Sequence, residues 1–456
     1  MEGLKLCVNS QTPLVQFLHP ADRPGLPPAE PATDLSELVE GTDYRFSPGG
    51  VTRMVYPVLR RWIAEGFLTD ADWVSLNPSG PEQIRAGGVT LHHVTLQKDR
   101  MAGYGKVKEA LWGAAHGSAD PAGALDGVFW TDDYAEYAYY NRLTAERIAN
   151  LDRVSDFDLY YIHDFQQLPV GHMLATLKPK LFRWHIPFDE TMLPDPWTPA
   201  LASYFNSYDT VVVSSPKYLE ALKAWGYTGR ARTLYPYIDP GEFSRPPRPE
   251  VEAVARSLGI APRDEVVLVV ARMDPMKGQD RVIRAVARLA RRHPRLRLVL
   301  VGNGSFSGSR QGVGLSKSEA WHARLAELAK KEGVEDRVVF AGHLGQRALD
   351  SMYERCRFTV LPSVREGFGL VVVESWLHRK APIVTRRAGI AHLVVEGRNG
   401  RLVDPEDPAE LAEKMESLLA DAEGTRRMGQ RGAATAKRCS LDEGIEAEAA
   451  LIRELV

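Results

Sequence analysis

Two glutamates flank a glycine-containing turn in the stretch SVREGFGLVVVES, residues 363–375. Glu366 precedes the segment GFG, and Glu374 lies in the apolar run behind it, whose pattern predicts a helix starting near Gly369. A helix N-terminus offers free N–H groups and a positive dipole end to an anion, and glycine lets the backbone approach a ligand closely. Glu374 would lie about one and a half turns into this helix, where its carboxylate can reach the hydroxyls of a sugar or ribose. Two surface glutamates around a helix start are the alternative, and the spacing alone leaves both interpretations open.

A basic pair follows the apolar run EVVLVV in the stretch ARMDPMKGQD, residues 271–280. Arg272 offers a fork of donors and Lys277 a point charge, and together they can neutralise a diphosphate. The alternative is a pair of solvated cations on a turn made by Asp274 and Pro275. From the residues alone the two interpretations have equal weight.

Two histidine-containing clusters follow predicted strands of the first half. In YYIHDFQQLP, residues 160–169, His163 and Asp164 are candidates for an acid–base pair or for ligands of sugar hydroxyls. The second cluster, FRWHIPFDE at residues 182–190, contributes His185. One such histidine is more often structural than catalytic. Two polar clusters at successive strand ends favour a functional site, because ligands of open α/β sheets bind outside the carboxyl ends of the strands.

Two further motifs imitate known sites and are rejected. DFD at 156–158 resembles an Asp-x-Asp metal site, but it precedes a strand instead of following one. GNGSFSG at 302–308 lacks the spacing of a dinucleotide fingerprint, so we expect no nicotinamide cofactor. There is no Walker A sequence, no serine nucleophile elbow and no convincing metal-ligand spacing, and we expect no bound metal.

Composition and charge limit the classes of function. The 456 residues include 57 Lys+Arg and 59 Asp+Glu, a net charge of −2, which excludes a polyanion binder driven by net charge and predicts no nucleic-acid partner. No apolar run reaches about 18 residues, so no membrane span is expected. The first residues lack the apolar core of a signal peptide, which favours a cytoplasmic location. Cys7, Cys356 and Cys439 are far apart, and we expect them to be buried as small hydrophobes.

The elements that position these residues alternate between strand and helix, which predicts parallel crossover units and a doubly wound sheet. Predicted strands are 5–10, 159–165, 180–186, 210–216, 265–274, 295–304, 337–344, 358–363 and 381–385, and predicted helices are 49–66, 280–293, 322–333 and 369–380, with 402–421 opening a helical tail. The proline-rich stretch 236–250 has linker composition and predicts a domain boundary near residue 245. Residues 67–145 carry no clear pattern, and the Gly/Ser-rich stretch 302–319 predicts a long loop. The tail 439–456 has apolar residues at helical spacing and needs a surface to cover.

Five segments of the second half carry a family resemblance: ARMDPMKG, LVLVGNG, VVFAGHL, VREGFGLVVVES and AGIAHLVVEGRNGRLVDPED, in that order. They resemble the C-terminal half of retaining glycosyltransferases of sequence family 4, which have the two-Rossmann (GT-B) fold. In the first half the glycine pair at 49–50, IHDFQQLP and WHIPFDE resemble the retaining glucosyltransferases that make trehalose or trehalose phosphate. The nearest likeness is to the trehalose glycosyltransferring synthases, which join nucleotide-activated glucose to free glucose.

This resemblance implies an α/β chain with two Rossmann-like, doubly wound domains facing a cleft. Residues 1–245 would bind the acceptor, residues 246–435 would bind the nucleotide sugar, and residues 436–456 would form a helix crossing back to the N-terminal domain. Gln166 and Gln167 stand where phosphate-forming relatives carry other polar residues, and the loop 304–319 is longer than usual in the family. The acceptor therefore stays open at this point.

The resemblance also implies roles for individual residues. Arg272 and Lys277 would bind the donor diphosphate, Glu366 would contact the transferred sugar, and Glu374 would hold the ribose hydroxyls. The remaining implied donor-binding residues are Gly49, Gly50, His343, Leu344, Gly367, Phe368, Gly369 and Leu370. His185 would lie beside the reacting anomeric carbon, and Asp164, Gln166 and His185 would bind the acceptor. The implied catalytic residues are His185, Arg272, Lys277 and Glu366.

The expected activity is the retaining transfer of a hexose from a nucleoside diphosphate sugar to a small sugar. Glucose is the first candidate for the hexose, and trehalose is a candidate product. Alternatives are a sugar-phosphate or glycerate-type acceptor, a nucleotide-sugar epimerase or phosphorylase on the same fold, and a non-catalytic nucleotide-sugar sensor. We expect no required cofactor, with Mg²⁺ as a candidate stimulant. The expected partners are the two small-molecule substrates, and a homo-oligomer is left open.

Overall fold

The computed structural model describes residues 3–18, 33–47, 50–77, 81–116, 128, 131–188, 197–302 and 313–456. The chain divides into two compact units, one formed by Met1–Leu234 with Ile445–Val456 and the other by Tyr235–Gly444. Gly49 and residues 304–312 of the Gly/Ser-rich stretch lie outside the described residues.

The first unit is built on a mostly parallel sheet with helices. Its strands are β1 Leu4–Asn9, β2 Val15–Phe17, β3 Thr33–Asp34, β4 Tyr44–Phe46, β5 Leu68–Leu76, β6 Gln83–Ala86, β7 Val89–Val94, β8 Leu159–His163, β9 Lys180–Arg183, β10 Thr210–Val213 and β11 Arg230–Thr233. Its helices are α1 Gly50–Ala64, α2 Arg100–His116, α3 Asp132–Ser155, α4 Val170–Met173, α5 Trp197–Phe205 and α6 Pro216–Ala224. The nine described strands of the main sheet run in the order β11-β10-β9-β8-β1-β5-β7-β6-β3, and only the β6–β7 pair is antiparallel.

Burial on both faces explains the apolar strands at the centre of this sheet. All five residues of β8 are buried, and β8 pairs in parallel with β1 on one side and β9 on the other. The sequence predicted these three strands, β10 and α1, and the structure confirms them. It also fills the unassigned stretch 67–145 with β5, β6, β7, α2 and the start of α3.

The second unit has an all-parallel sheet with strands in the order β14-β13-β12-β15-β16-β17. The strands are β12 Glu265–Val270, β13 Leu296–Val301, β14 Val338–Gly342, β15 Phe358–Leu361, β16 Ala381–Thr385 and β17 Arg401–Val403. The helices are α7 Arg248–Ser257, α8 Gln279–Leu289, α9 Val313–Lys331, α10 Gln346–Arg355, α11 Leu370–Leu377, α12 Pro408–Ala420 and α13 Ala422–Ala436, followed by α14 Leu441–Leu455. The chain runs from β12 outward to β14 and then returns to β15 on the other side of β12. The ends of β12 and β15 therefore meet at a topological switch point, where such sheets bind ligands.

Three boundaries differ from the sequence-based expectation. Helix α9 begins at Val313, inside the stretch that we expected to be a loop through residue 319. The units divide after Leu234 instead of near residue 245. Ile238 pairs with the segment around the start of α14: its N–H donates to the carbonyl of Cys439, and its carbonyl accepts the N–H of Leu441. The end of the chain belongs to the first unit from Ile445 onward, instead of from residue 436.

Within the described ranges, no helix is both long enough and apolar enough to cross a membrane.

Candidate functional site

Two groups of polar residues occupy strand ends, one in each unit. In the second unit, β12 is followed by a short 3₁₀ turn, Pro275–Lys277. The carboxylate of Asp274 caps this turn by accepting the N–H of Met276 over 2.8 Å. The turn ends at Gly278, whose φ of 69° lies in the left-handed region that favours glycine. A capped turn of three residues thus fixes where Lys277 projects.

Gly278 also permits a close approach between two loops. A Cβ atom at this position would lie 2.2 Å from the carbonyl oxygen of Pro362, in the loop that follows β15. The same two loops are joined by a hydrogen bond of 2.9 Å from the N–H of Val364 to the carbonyl of Met276. Only a residue without a side chain allows this packing.

The approach of these loops brings Lys277 to Glu366. The Nζ atom of Lys277 donates to Oε2 of Glu366 over 2.7 Å, and the hydroxyl of Ser363 donates to the same oxygen over 3.0 Å. Both charged side chains are largely buried, at 11% and 17% exposure. The structure thus brings together two residues that the sequence separates by 89 positions.

The glycine turn after Glu366 leads into α11. The N–H of Gly389 donates to the carbonyl of Glu366 over 3.1 Å, and the N–H of Ile390 donates to that of Phe368 over 2.9 Å, which fixes the Glu366–Phe368 backbone against the segment after β16. Gly369 has a φ of 105° and caps α11 without a side-chain hydrogen bond. The first N–H groups of α11 therefore have no side-chain cap, which is the arrangement that suits an anion. Leu370 is the first residue of the helix.

Glu374 has a partner that sequence reasoning missed. The hydroxyl of Tyr353, on α10, donates to Oε2 of Glu374 over 2.7 Å. Tyr353 is fully buried, and its ring stacks on His378 with 4.8 Å between centroids. Burial, with a contribution from the Glu374 carboxylate, raises the pKa of the Tyr353 hydroxyl well above its usual value, so it remains a donor. No local signal around Tyr353 could have revealed this contact.

The ends of β12, β13 and β14 bring further predicted donor residues to one edge of the sheet. The carbonyl of Arg272 accepts a hydrogen bond of 2.6 Å from the side chain of Gln279, which fixes the loop after β12. Gly302 follows β13 and is packed against the loop after β12: a Cβ atom at this position would lie 2.0 Å from the carbonyl oxygen of Ala271. The N–H of Gly302 donates to the carbonyl of Gly342 over 2.8 Å. His343 and Leu344 follow β14 directly, His343 exposed and Leu344 partly buried.

In the first unit, Asp164 follows β8 with a φ of 69°, an unusual conformation for a residue other than glycine. Its N–H donates to the carbonyl of Arg183 over 2.8 Å. Its carboxylate accepts the N–H of Phe165 over 3.0 Å and the N–H of His185. Burial raises the pKa of Asp164 to about 7, against the smaller opposing effect of these two N–H groups.

His185 lies against a second histidine. The Nδ1 atom of His163 and the Nε2 atom of His185 are 3.1 Å apart, and the rings are stacked at 22° with centroids 5.4 Å apart. Burial lowers the pKa of both rings well below the usual value, and the positive charge of Arg183 lowers both further. Two neutral imidazoles share one hydrogen bond here, one as donor and the other as acceptor.

The remaining sequence-predicted residues fall outside these contacts. Gln166 is partly exposed next to Asp164, whereas Gln167 is buried and donates to the hydroxyl of Tyr140 over 2.7 Å. Gly50 is the exposed first residue of α1, and its neighbour Gly49 is not among the described residues.

The aspartates of the DFD segment make structural contacts with Lys5 of β1 and with Lys178. The carboxylate of Asp158 accepts the N–H of Lys5 over 2.8 Å, and that of Asp156 accepts from Nζ of Lys178 over 2.7 Å. The part of the chain that the structure describes contains no group of three or more His, Cys, Asp or Glu side chains that could hold a metal ion.

Family comparisons match both halves of the chain. Residues 250–435 match the family Glycosyl transferases group 1, and residues 124–220 match Trehalose synthase, N-terminal domain. The first match contains Arg272, Lys277, Glu366 and Glu374. The second contains Asp164 and His185.

Curated relatives are named for one type of transfer. The D-inositol 3-phosphate glycosyltransferase of Nocardia farcinica is 34% identical over 211 residues, which cover 46% of this chain and 45% of the relative. In that comparison the chain spans less than half of the relative's length. The D-inositol 3-phosphate glycosyltransferase of Streptomyces bingchenggensis is 28% identical over 401 residues, which cover 81% of this chain and 85% of the relative.

Solved structures extend the likeness in fold to nearly the whole chain. The structure described as "Trehalose-6-phosphate from E. coli bound with UDP-2-fluoro glucose" superposes with a TM-score of 0.75 and 17% identity, covering 99% of each chain. At this identity the likeness shows the fold alone. The α/β fold, with its parallel sheets, is that of GT-B glycosyltransferase structures, as the sequence predicted.

Proposed function

We propose that this chain is a retaining glycosyltransferase that moves a hexose from a nucleoside diphosphate sugar to a small sugar acceptor. Glucose is the first candidate for the hexose. The observation that carries the proposal is the Lys277–Glu366 contact of 2.7 Å, at the switch point of the second sheet and beside the start of α11. A cation and a carboxylate held together there suit a ligand with an anionic leaving group and a sugar. The match to Glycosyl transferases group 1 over residues 250–435 supports the same activity.

In this proposal the second unit binds the donor. Arg272, Lys277 and the N–H groups at the start of α11 neutralise the charge that grows on the leaving diphosphate. Glu366 lies beside the transferred sugar and favours the positive charge of an oxocarbenium-like transition state. Glu374, held by Tyr353, accepts hydrogen bonds from the ribose hydroxyls. UDP-2-fluoro glucose in a neighbour of the same fold supports a nucleoside diphosphate hexose as the donor.

The reaction needs no protein nucleophile. The bond between the anomeric carbon and the diphosphate oxygen breaks, and the acceptor hydroxyl attacks the same face of the sugar. The acceptor proton passes to the oxygen of the leaving diphosphate, so the products are a glycoside with retained configuration and a protonated nucleoside diphosphate. Protein cations neutralise the diphosphate, so we expect transfer to persist in a chelator, with Mg²⁺ at most stimulatory.

The first unit binds the acceptor in this proposal, and its charges favour an unphosphorylated sugar. Asp164, Gln166 and His185 offer a carboxyl, an amide and a neutral imidazole. A phosphate group next to Asp164 would meet a like charge once Asp164 ionises, above its pKa of about 7. Among the described residues of this group, the cation Arg183 is already occupied by Glu448. Trehalose is therefore the first candidate product, in keeping with the match of residues 124–220 to Trehalose synthase, N-terminal domain.

A second candidate acceptor is a sugar phosphate, because two relatives are named D-inositol 3-phosphate glycosyltransferase. The deciding experiment measures nucleoside diphosphate release from a panel of donors crossed with glucose, glucose 6-phosphate, inositol 3-phosphate and glycerate. We expect release with glucose and an α-configured product by NMR. Release only with phosphorylated acceptors would move the proposal to the second candidate. Free epimerised sugar, a requirement for inorganic phosphate, or no turnover with any pair would refute glycosyl transfer.

A further inference from the structure

We propose that Arg183 and Glu448 are positioning residues, and that their buried ion pair lets the last helix hold the two strand ends that carry Asp164 and His185. The expected changes in KM rest on the proposed function. Its structural basis lies within the first unit, to which residues Ile445–Val456 belong. Neither residue carries a role in the proposed reaction.

The ion pair is fully withdrawn from water. Arg183 Nη1 contacts Glu448 Oε1, and the two side chains are only 1% and 2% exposed. The hydroxyl of Tyr161 donates to the same glutamate oxygen over 3.0 Å, and Arg183 Nη2 donates to the carbonyl of Leu234 over 3.3 Å. Burying two charges costs about as much as their attraction returns, so stability alone is a weak reason for such a pair.

The pair is connected to the predicted acceptor residues through the backbone of β9. The carbonyl of Arg183 accepts the N–H of Asp164, and the N–H of His185, two residues further on, donates to the Asp164 carboxylate. A shift of Arg183 would therefore move both strand ends together. Glu448, on the last helix, holds Arg183 in place. It also contacts Tyr161, from which it is separated by 287 positions in the sequence.

A second connection runs through aromatic rings. Tyr161, which donates to Glu448, has its ring 4.1 Å from that of His163 between centroids, and His163 contacts His185. Among the described residues, Arg183, Asp164 and Tyr161 are the charged and titratable groups next to the two imidazoles, and Glu448 contacts Arg183 and Tyr161. Burial is the main cause of the low pKa of both imidazoles, and the charge of Arg183 adds to it. The pair thus holds the strand end that carries His185 and keeps the Arg183 charge next to the two rings.

The test compares the full chain with Glu448→Gln, with the double variant Arg183→Met/Glu448→Leu and with Tyr161→Phe. Glu454→Gln is the matched control, because Glu454 lies on the same helix and contacts Arg230 and Arg232 from an exposed position. The double variant removes both buried charges and is expected to fold. Tyr161→Phe removes one hydrogen bond to Glu448 and leaves both charges, so it serves if the other variants do not fold.

Three quantities are measured: thermal unfolding, the separate KM values for donor and acceptor with kcat, and the titration of the imidazoles by NMR. In the double variant we expect the acceptor KM to rise about tenfold, the donor KM to stay within about twofold, and His163 or His185 to titrate at a higher pH. Tyr161→Phe is expected to raise the acceptor KM by a smaller factor.

Folded variants whose acceptor KM and imidazole titration both equal those of Glu454→Gln would overturn the proposal. Equal increases in donor and acceptor KM would also overturn it, because they indicate general loosening. If the parent chain transfers no sugar at all, the proposed function fails. The imidazole titration then still decides whether Arg183 and Glu448 control the histidines.

Discussion

The ammonium group of Lys277 and the carboxylate of Glu366 form a hydrogen-bonded ion pair of 2.7 Å. The pair joins the loops after β12 and β15, and both side chains are more than four-fifths buried. Two long side chains that hold each other in place cost less to order when a ligand binds beside them. In the proposed reaction Lys277 then shares its charge between Glu366 and the leaving diphosphate.

Removal of the two cations tests the donor site. We expect Lys277→Met and Arg272→Ala each to lower kcat by about 10²–10³, because a developing negative charge loses a partner placed for it. Rates are measured as nucleoside diphosphate release at saturating donor. Lys277→Met also removes the buried ion pair with Glu366 and is expected to unfold at a lower temperature than the parent.

The exposed Arg288, on α8, supplies the matched control. Arg288→Ala removes the same charge from the same unit and is expected to leave kcat unchanged. If Arg272→Ala and Lys277→Met retain the rate of this control, the assignment of the two cations to the diphosphate is wrong.

Gly278 makes the approach of the two loops possible, and its replacement tests that geometry. Gly278→Ala would place a Cβ atom 2.2 Å from the Pro362 carbonyl at a φ of 69°. We expect the free energy of unfolding to fall by about 3 kcal/mol or more and kcat to fall as Lys277 moves from Glu366. Gly259→Ala is the control that separates backbone strain at positive φ from the collision with Pro362. Gly259 has a similar φ of 72°, but nothing lies within 4 Å of the added Cβ atom. A loss of about 1 kcal/mol is expected there, with unchanged activity. Equal losses at the two positions would contradict the packing argument.

The sequence predicted the strands around both residue groups, because each is an apolar run buried on both faces. The stretch 67–145 resisted prediction for a physical reason. Strand β5 contains Asp72, which is buried in mid-sheet and contacts His92 of β7. A buried aspartate breaks the apolar pattern that marks a central strand, and only the fold supplies the partner that makes it tolerable.

Candidate site residues could be proposed from the sequence where one short segment carries the chemistry, as in the loops of Lys277 and Glu366, and their roles stay predictions. Tyr353 and Glu448 could not be proposed in this way, because each contacts a distant segment of the chain. Tyr353 precedes Glu374 by 21 positions on another helix, and Glu448 meets Arg183 from the last helix. Spacing along a chain carries no information on such contacts.

Tyr353 offers a test of the role of Glu374. In Tyr353→Phe the carboxylate loses a donor at 2.7 Å but keeps its charge. We expect the donor KM to rise about three- to tenfold with kcat nearly unchanged, because the proposed ribose contact would be present in both the ground state and the transition state. Glu374→Gln should raise the donor KM further. A fall in kcat at constant donor KM would place Glu374 at the reacting bond instead.

Asp164 contributes a stability that depends on pH. Its pKa is about 7 in the folded chain, against an ordinary value of 3.8. Between these values the folded chain holds a proton that the unfolded chain lacks, so the contribution is complete below pH 4 and is lost as the pH rises to 7. Relative to Asp164→Asn, the parent should lose at most about 1.4 kcal/mol of unfolding free energy per pH unit in this window. Denaturant unfolding at several pH values measures the difference.

The same ionisation should appear in acceptor kinetics. If the Asp164 carboxylate accepts hydrogen bonds from acceptor hydroxyls, kcat/KM for the acceptor rises with pH through an apparent pKa of about 7. Asp164→Asn keeps the shape of the side chain but cannot ionise, so its kcat/KM should be lower and should lack this rise. Asp156→Asn is the control, because that carboxylate is exposed and contacts Lys178. It should titrate like the parent. If Asp164→Asn also retains the rise near pH 7, the rise belongs to another group, and Asp164 does not bind the acceptor as a carboxylate.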